Sequence, residues 1–357
     1  MKKTGVFDYS KEMKHEEVVF CYDAETNLRA IIAIHSTALG PAIGGMRMWR
    51  YKTEEEALEA ALRLSVSMTH QSAITESDYG GGKAIIWGDP KRDKSESYFR
   101  AFGRFVNSLN GHFITYPDLG TDDEDLIYVK RETDYVLSPP RELGESLNSG
   151  QVTAYGVFWG MRACVKEVFG ASSLERLKVF IQGVGEVGSY LCDYLIEDGA
   201  SVVITDINYD TIKKIQDRHQ NVEVVRPKEA FEVKCDIFSP NALGGILDKN
   251  TIPKLKCKII AGAASNLLYK DEYTELLDRR EILFAPAFVI GGAELIVSSK
   301  SYSDLPLKKR FEKAQKIFDI MAGVIARSKR ENIPPLYAAQ KIANERIKAV
   351  GGVRRIF

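Results

Sequence analysis

Apolar residues fall along this chain in two textures. Through roughly the first 140 residues, short apolar runs are mixed with helical spacing. Val18 to Phe20 and Ile31 to Ile34 read as strands, and the turn-forming residues around Asp23 to Asn27 suit a hairpin between them. Thr53 precedes EEEALEAALRLSVSM, which gives an N-cap, acids in the first turn and apolar residues at helical intervals. Ala84 to Trp87 reads as a short strand closed by Gly88, Asp89 and Pro90. Ser95 then caps a helix to about Leu109, stopped by Asn110 and Gly111. A further helix is expected from about Thr153 to Phe169.

From Lys178 the texture becomes strand, glycine turn, helix, strand. Val179–Ile181, Val202–Thr205, Asp236–Phe238, Lys258–Ala261 and Ile282–Phe284 form the strand series. Strands alternating with helices imply a parallel sheet with right-handed crossovers. The tail from about Pro306 is helical, with a break at Pro334 and Pro335. The expectation is an α/β chain of two domains. An N-terminal α/β domain covers 1–140 and is joined by about 330–357, and a Rossmann domain covers 141–330, so that the C-terminal helix returns to the first domain.

A chain of 357 residues is long enough for two cores. With 45% apolar and 27% charged residues it falls in the ordinary globular range. Lys plus Arg and Asp plus Glu are equal at 49 each, so charge gives no reason to expect nucleic acid or an anionic membrane as partner. Cys21, Cys164, Cys192, Cys235 and Cys257 form no CxxC pair, which points to reduced thiols rather than disulfides or zinc. The opening segment has lysines but no apolar core of a signal peptide, and no apolar run nears the ~20 residues of a membrane span. A cytoplasmic location is expected. The five histidines show no metal-ligand spacing, so no metal site is expected.

After the strand VFIQ comes Gly183-Val-Gly185-Glu186-Val187-Gly188, opening a helix, and the next strand, VVIT, ends at Asp206. The eighteen residues from Gly188 to Asp206 are close to the usual spacing of about 20 in a dinucleotide fold. Gly183 permits the tight turn, Gly185 lets backbone approach a pyrophosphate, and Gly188 allows helix to pack on strand. Asp206 can accept hydrogen bonds from a ribose 2′-OH and repels a 2′-phosphate, so NAD is the expected cofactor.

Two N-terminal segments also stand out. Gly80, Gly81 and Gly82 allow close approach of backbone to a ligand, and Lys83 follows at once. Asp118 lies in Tyr116-Pro-Asp118-Leu-Gly120-Thr121 after the apparent strand HFIT. Taken singly, a lysine and an aspartate are most often surface charges; their context changes the weighing. LGPAIGGMRMW, GGGKAIIWGDPKRDKS, AFGRFVNSLNG, VTAYGV, IQGVGEVG, TDIN, CDIFSPNALGG and IIAGAASN occur in one order along the chain. Over nearly its whole length the sequence resembles the leucine/phenylalanine/valine dehydrogenases of the Glu/Leu/Phe/Val amino-acid dehydrogenase family.

The resemblance implies an enzyme that oxidises an α-amino acid by hydride transfer to NAD, water then releasing the 2-oxo acid and ammonia. It assigns catalysis to Lys83 and Asp118. A desolvated Lys83 with a lowered pKa would hydrogen-bond the developing oxygen and help activate water, and Asp118 would move a proton to and from the amine nitrogen. By family position Leu39, Gly44, Gly45, Met68, Gln71, Ser265 and Val297 would border the substrate, with Met46, Met48 and Ala293 as further pocket linings. The cofactor would fall to Thr153, Gly183, Gly185, Glu186, Val187, Gly188, Asp206, Ile207, Asn241, Ala242 and Asn266. A homo-oligomer built through the N-terminal domain is implied as well.

The sequence departs from that pattern in one place above all. The family carries a second lysine twelve residues before the catalytic one, paired with the substrate carboxylate; here Gln71 stands there, after His70. Ser265 stands where the family has an asparagine, and VIGGAE replaces a segment like VINAGG. Losing the cationic partner of a buried carboxylate typically costs about 3–5 kcal/mol. The clamp is then either rebuilt, with Arg47, His70 or another base holding the carboxylate, or the substrate is an amine, ketone or amino-acid derivative without a free α-carboxylate. An inactive NAD-binding homologue is a third alternative, weighed against by the presence of Lys83 and Asp118.

Overall fold

A computed structural model describes residues 6–137, 141–142, 145–146, 148–298 and 305–354. The chain divides into two compact units, Met1–Ser138 with Asn344–Phe357, and Pro139–Ala343.

The first unit contains α1 (Val6–Met13), β1 (Glu17–Asp23), β2 (Leu28–Ser36), β3 (Ala42–Trp49), α2 (Glu54–Ile74), β4 (Gly80–Trp87), α3 (Glu96–Ser108), β5 (Phe113–Pro117) and α4 (Asp123–Lys130). Its five strands lie in the order β1-β2-β4-β3-β5. The first two pair as the expected antiparallel hairpin, with Asn27 at φ 55 in its turn. Strand β2 is antiparallel to β4, and β3 is parallel to both β4 and β5. One face packs Ile32, Ile34, Ala84 and Ile86 under Phe99 and Phe102 of α3. The other packs Ile31, Ala33 and Ile85 under Ala57, Leu58, Ala61 and Leu62 of α2. Each fully buried Leu, Ile or Phe contributes about 1.5–3 kcal/mol from the water it leaves. Thr53 and Ser95 cap α2 and α3, their hydroxyls accepting from Glu56 and Tyr98 amides.

The segment Ala42–Trp49 is a strand that the local pattern does not announce, because its two central glycines hide the apolar alternation. One reading of this unit needs correction. Strand β4 begins at Gly80 rather than Ala84, because β2 and β3 on either side hold the glycines in the ladder.

In the second unit a short antiparallel pair, β6 (Arg141–Glu142) and β7 (Glu145–Ser146), precedes α5 (Ser149–Phe169). That helix starts four residues before Thr153 because Asn148 caps it, the side-chain oxygen accepting from the Gln151 amide. Then follow β8 (Lys178–Gln182), α6 (Glu186–Glu197), β9 (Ser201–Thr205), α7 (Tyr209–Arg218), β10 (Glu223–Val224), β11 (Ile237–Pro240), β12 (Ile259–Ile260), α8 (Thr274–Asp278), β13 (Leu283–Phe284), α9 (Ala287–Ile290), α10 (Ala293–Val297), α11 (Leu307–Glu312), α12 (Lys316–Glu331) and α13 (Pro335–Arg354). The six strands are parallel in the order β10-β9-β8-β11-β12-β13. Strand order reverses between β8 and β11, the switch point at which doubly wound sheets bind nucleotides. The chain turns between α12 and α13 at Asn332, φ 51, ahead of the two prolines. The end of α13 returns to the first unit, where Arg346 donates to the Ser77 carbonyl at 2.9 Å.

Among the described residues no helix is long and apolar enough to cross a membrane. All five cysteines are buried free thiols.

Candidate active site

Strand register builds the chemistry of the first unit. Pairing of Ile43 with Gly81 and Met46 with Ala84 sets Gly45 level with Lys83 on β4. Pairing of Gly45 with Tyr116 and Met46 with Pro117 brings Arg47 level with Asp118, just past β5. Lys83 and Asp118 therefore stand on opposite sides of β3. The absent side chain of Gly45 lets the lysine cross: a Cβ there would lie 3.3 Å from Lys83 Nζ and 2.7 Å from Asp118 Cβ. Lys83 Nζ donates to Asp118 Oδ2 at 2.6 Å, and Arg47 Nε donates to the same oxygen at 2.8 Å.

The loop holding Asp118 is fixed by backbone. Its amide donates to Thr121 Oγ1 at 2.9 Å, and that hydroxyl donates to the Met46 carbonyl at 2.7 Å. Gly120 adopts φ +84, and a Cβ would lie 2.0 Å from the Met48 carbonyl oxygen. Glycine and threonine at those two positions are thus a geometric requirement of the D-x-G-T loop. Gly44 is equally constrained, with the Gly82 carbonyl 2.0 Å from its missing Cβ.

Lys83 is buried at 5% side-chain exposure while Asp118 keeps 23%, so the pair opens outward on the carboxylate side. Burial alone would push the Asp118 carboxyl up, but Arg47 and Lys83 reverse this and hold it far below the ordinary carboxylate range. Asp118 is therefore ionised and Arg47 stays charged beside it.

Other expected residues gather here to different degrees. Tyr116, against Gly45, donates its hydroxyl to Met68 sulfur at 3.6 Å, which places Met68 next to the pair through one aromatic ring. Leu39 is buried between β2 and β3. Gln71 is half-buried near the end of α2, where its carbonyl accepts from Thr75. Ser65 and Thr69 of the same helix hold a histidine group that the sequence did not suggest. His15 shares a hydrogen bond of 2.8 Å with Ser65, His35 one of 2.7 Å with Thr69, and their rings meet edge to face at 5.1 Å. Burial lowers His15 to about 4 and His35 to about 3, the latter also through the charges of His15 and His70.

In the second unit the glycine turn lies at the switch point. Gly183 has φ +91 and a Cβ there would lie 2.8 Å from Ala242 Cβ, across the reversal in strand order. Gly188 sits 2.0 Å, at the position of a Cβ, from the Gly183 carbonyl, whereas around Gly185 nothing comes within 4 Å. The turn is closed beneath and open above, which is the space a pyrophosphate needs at the start of the 12-residue helix α6. Asp206 Oδ2 accepts from the Val184 amide at 2.8 Å and Oδ1 from Asn208 at 2.8 Å, so its carboxylate is set beside the turn. Gln182 Oε1 and Thr205 Oγ1, paired at the ends of β8 and β9, are buried polar atoms without a hydrogen-bond partner among the described residues. These features fit a bound dinucleotide. Asn241 is held by Ser239 and by the Ala263 amide. Glu186 accepts from Asn148 at 2.6 Å, and Val187 follows it in the first turn of α6. Ile207 is 93% exposed beside Asp206. Asn266 has φ 51, and Gly244 lies against the Ser265 carbonyl. Thr153 is half-buried within α5, and Val297 and Ala293 are buried in α10.

Comparison with known proteins agrees with this architecture. Residues 15–135 match the dimerisation domain of the Glu/Leu/Phe/Val dehydrogenases, and 144–208 with 204–348 match the Glutamate/Leucine/Phenylalanine/Valine dehydrogenase domain. The chain is 44% identical to leucine dehydrogenase of Geobacillus stearothermophilus, covering 99% of this chain and 96% of that protein. It is 42% identical to valine dehydrogenase of Streptomyces virginiae, covering 95% of each. The crystal structure of L-tryptophan dehydrogenase from Nostoc punctiforme superposes with a TM-score of 0.76 at 36% identity, covering 97% of this chain and 99% of that one. A parallel sheet with an open glycine turn, a lysine–aspartate pair on a separate sheet and full-length similarity of this degree converge: the chain belongs to the Glu/Leu/Phe/Val dehydrogenase family and is an NAD-dependent amino-acid dehydrogenase.

Proposed function

We propose that the chain catalyses oxidative deamination of an apolar L-amino acid and the reverse reductive amination. The observation that carries this reading is the 2.6 Å hydrogen bond from Lys83 to Asp118 across Gly45. The relatives are dehydrogenases of leucine, valine and tryptophan, which supports an apolar side chain. In the overall reaction the amino acid and water give the 2-oxo acid and ammonium, one hydride and one proton leaving the substrate. NAD, held by Gly183, Gly185, Gly188 and Asp206, supplies the hydride acceptor when bound. Once Lys83 turns from it to the substrate, Asp118 takes the proton from the amine nitrogen, and it returns it in the reverse direction. The Lys83 ammonium hydrogen-bonds the oxygen that develops when water adds to the imine carbon, and the buried position of Lys83 strengthens that bond.

At the carboxylate, Gln71 supplies a neutral amide where the family carries a lysine. A second reading follows from that one residue: a substrate that is an amine, ketone or amino-acid derivative without a free carboxylate. The purified protein, NAD and a panel of leucine, valine, phenylalanine and tryptophan beside their amides and parent amines decide between them by the absorbance of the reduced cofactor. Turnover of the free amino acids upholds the first reading, and turnover of the amines alone upholds the second. Silence across the panel at high enzyme concentration defeats both. In Gln71→Lys, a gain of about 10²-fold or more on leucine would mean that a standard amino acid is not the native substrate.

We also infer a homo-oligomer, from the match of the N-terminal unit to a dimerisation domain. A cytoplasmic location belongs to the same proposal and accords with five unpaired thiols.

A further inference from the structure

We propose that Arg47 is a positioning residue for the reaction: it anchors Asp118 through Nε so that Lys83 is free to leave the carboxylate and bond the substrate. The inference rests on the reading that Lys83 and Asp118 carry the chemistry, and it assigns Arg47 a task other than holding the substrate carboxylate. Three observations support it. Both cations reach one oxygen, Asp118 Oδ2, at 2.6 and 2.8 Å. They reach it from different strands, and Arg47 is level with Asp118 in the β3–β5 register, while Lys83 must cross β3 to arrive. Arg47 contacts the carboxylate through Nε, the least mobile of its nitrogens, on a side chain only 18% exposed.

Their consequence is a division of labour. A carboxylate left with no cation in a half-buried position would protonate or swing away when Lys83 turned to substrate. With Arg47 fixed beside it, Asp118 keeps its charge and its place through that exchange. Arg47 touches neither the amine nor the reacting carbon in this scheme; it acts through Asp118.

The test compares Arg47→Met and Arg47→Lys with Asp118→Asn in the full-length enzyme, following kcat, KM and, with the best substrate of the panel, the pH dependence of kcat, which reports the complex in which Lys83 has turned to substrate. Arg47→Met is expected to lose about 10²-fold in kcat with little change in KM, and its acid limb should move up by about one to three pH units. Arg47→Lys, which keeps a charge but not the Nε geometry, is expected to recover part of both effects. A rise in KM for the amino acid, absent for its parent amine, with kcat and the pH profile unmoved, would overturn the proposal in favour of a carboxylate clamp. Equal loss of activity and of folded enzyme, with an unmoved profile, would overturn it in favour of a purely structural role. If Arg47→Met does not fold, the pH profile of Arg47→Lys decides alone. Full activity in Asp118→Asn would sink the underlying reading of the pair, and this inference with it; strong loss there with an unmoved profile in the Arg47 variants would sink only the inference.

Discussion

Lys83 and Asp118 are joined by a 2.6 Å hydrogen bond that passes over the strand separating them, at Gly45, which has no side chain to block it. A methyl group at residue 45 would fall 2.7 Å from the Asp118 side chain. Gly45→Ala is therefore expected to keep the fold, by circular dichroism, and to lose about 10²-fold in kcat through misplacement of the pair. Turnover equal to the parent would show that the crossing is not needed.

Lys83→Ala removes the ammonium from a buried site without touching the second unit. Turnover should fall by about 10²- to 10⁴-fold. Binding of NAD, measured by calorimetry, should stay within a few fold of the parent. Substantial residual activity would take Lys83 out of its assigned role.

Asp206 is fixed by two backbone amides beside the glycine turn. Asp206→Ser removes a charged acceptor and a charge that repels a 2′-phosphate. Loss of one hydrogen bond to a charged group, about 1.5–3 kcal/mol, predicts roughly 10- to 100-fold weaker use of NAD and a smaller preference over NADP. The ratio of kcat/KM for the two cofactors measures it.

Gly188→Ala would force a Cβ to within 2.0 Å of the Gly183 carbonyl. Overpacking of this kind costs about 1–3 kcal/mol. The variant should melt at lower temperature and bind NAD more weakly, because relieving the clash moves the turn.

The histidine pair predicts acid sensitivity of the fold. In the folded chain His15 and His35 titrate at about 4 and about 3, below the ordinary value of 6.5. On acidification the unfolded chain therefore takes up protons first. Their contribution to stability is whole above about pH 6.5 and is lost as pH falls, toward 4 for His15 and toward 3 for His35. Melting temperature followed across that window should drop, and less steeply in His35→Gln; an unchanged slope in the variant would assign the acid sensitivity to other groups.

The elements that stood out in the sequence are those whose local chemistry agrees with the fold. Thr53 and Ser95 cap as expected, Asn110 and Gly111 end α3 with φ 49 and 83, and the strand–glycine–helix–strand series of the second unit needs only local periodicity. What escaped depends on pairing. Strand β3 is unreadable locally because Gly44 and Gly45 replace the side chains that mark a strand, and they are glycines because β4 and Asp118 press on them from both sides. Arg47 could be named but not placed, since its meeting with Asp118 follows from the β3–β5 register, which no single segment encodes. The histidine group likewise joins residues from the first connection, β2 and α2, far apart in the chain.

The five cysteines offer a clock. Burial pushes the Cys21, Cys164, Cys192 and Cys257 thiols up to about 12, so in the folded state almost none is thiolate at neutral pH. Alkylation must then wait for local opening. Cys21 belongs to the first unit and the remaining thiols to the second, so mapping which peptide is modified first would time the opening of each unit separately within one molecule.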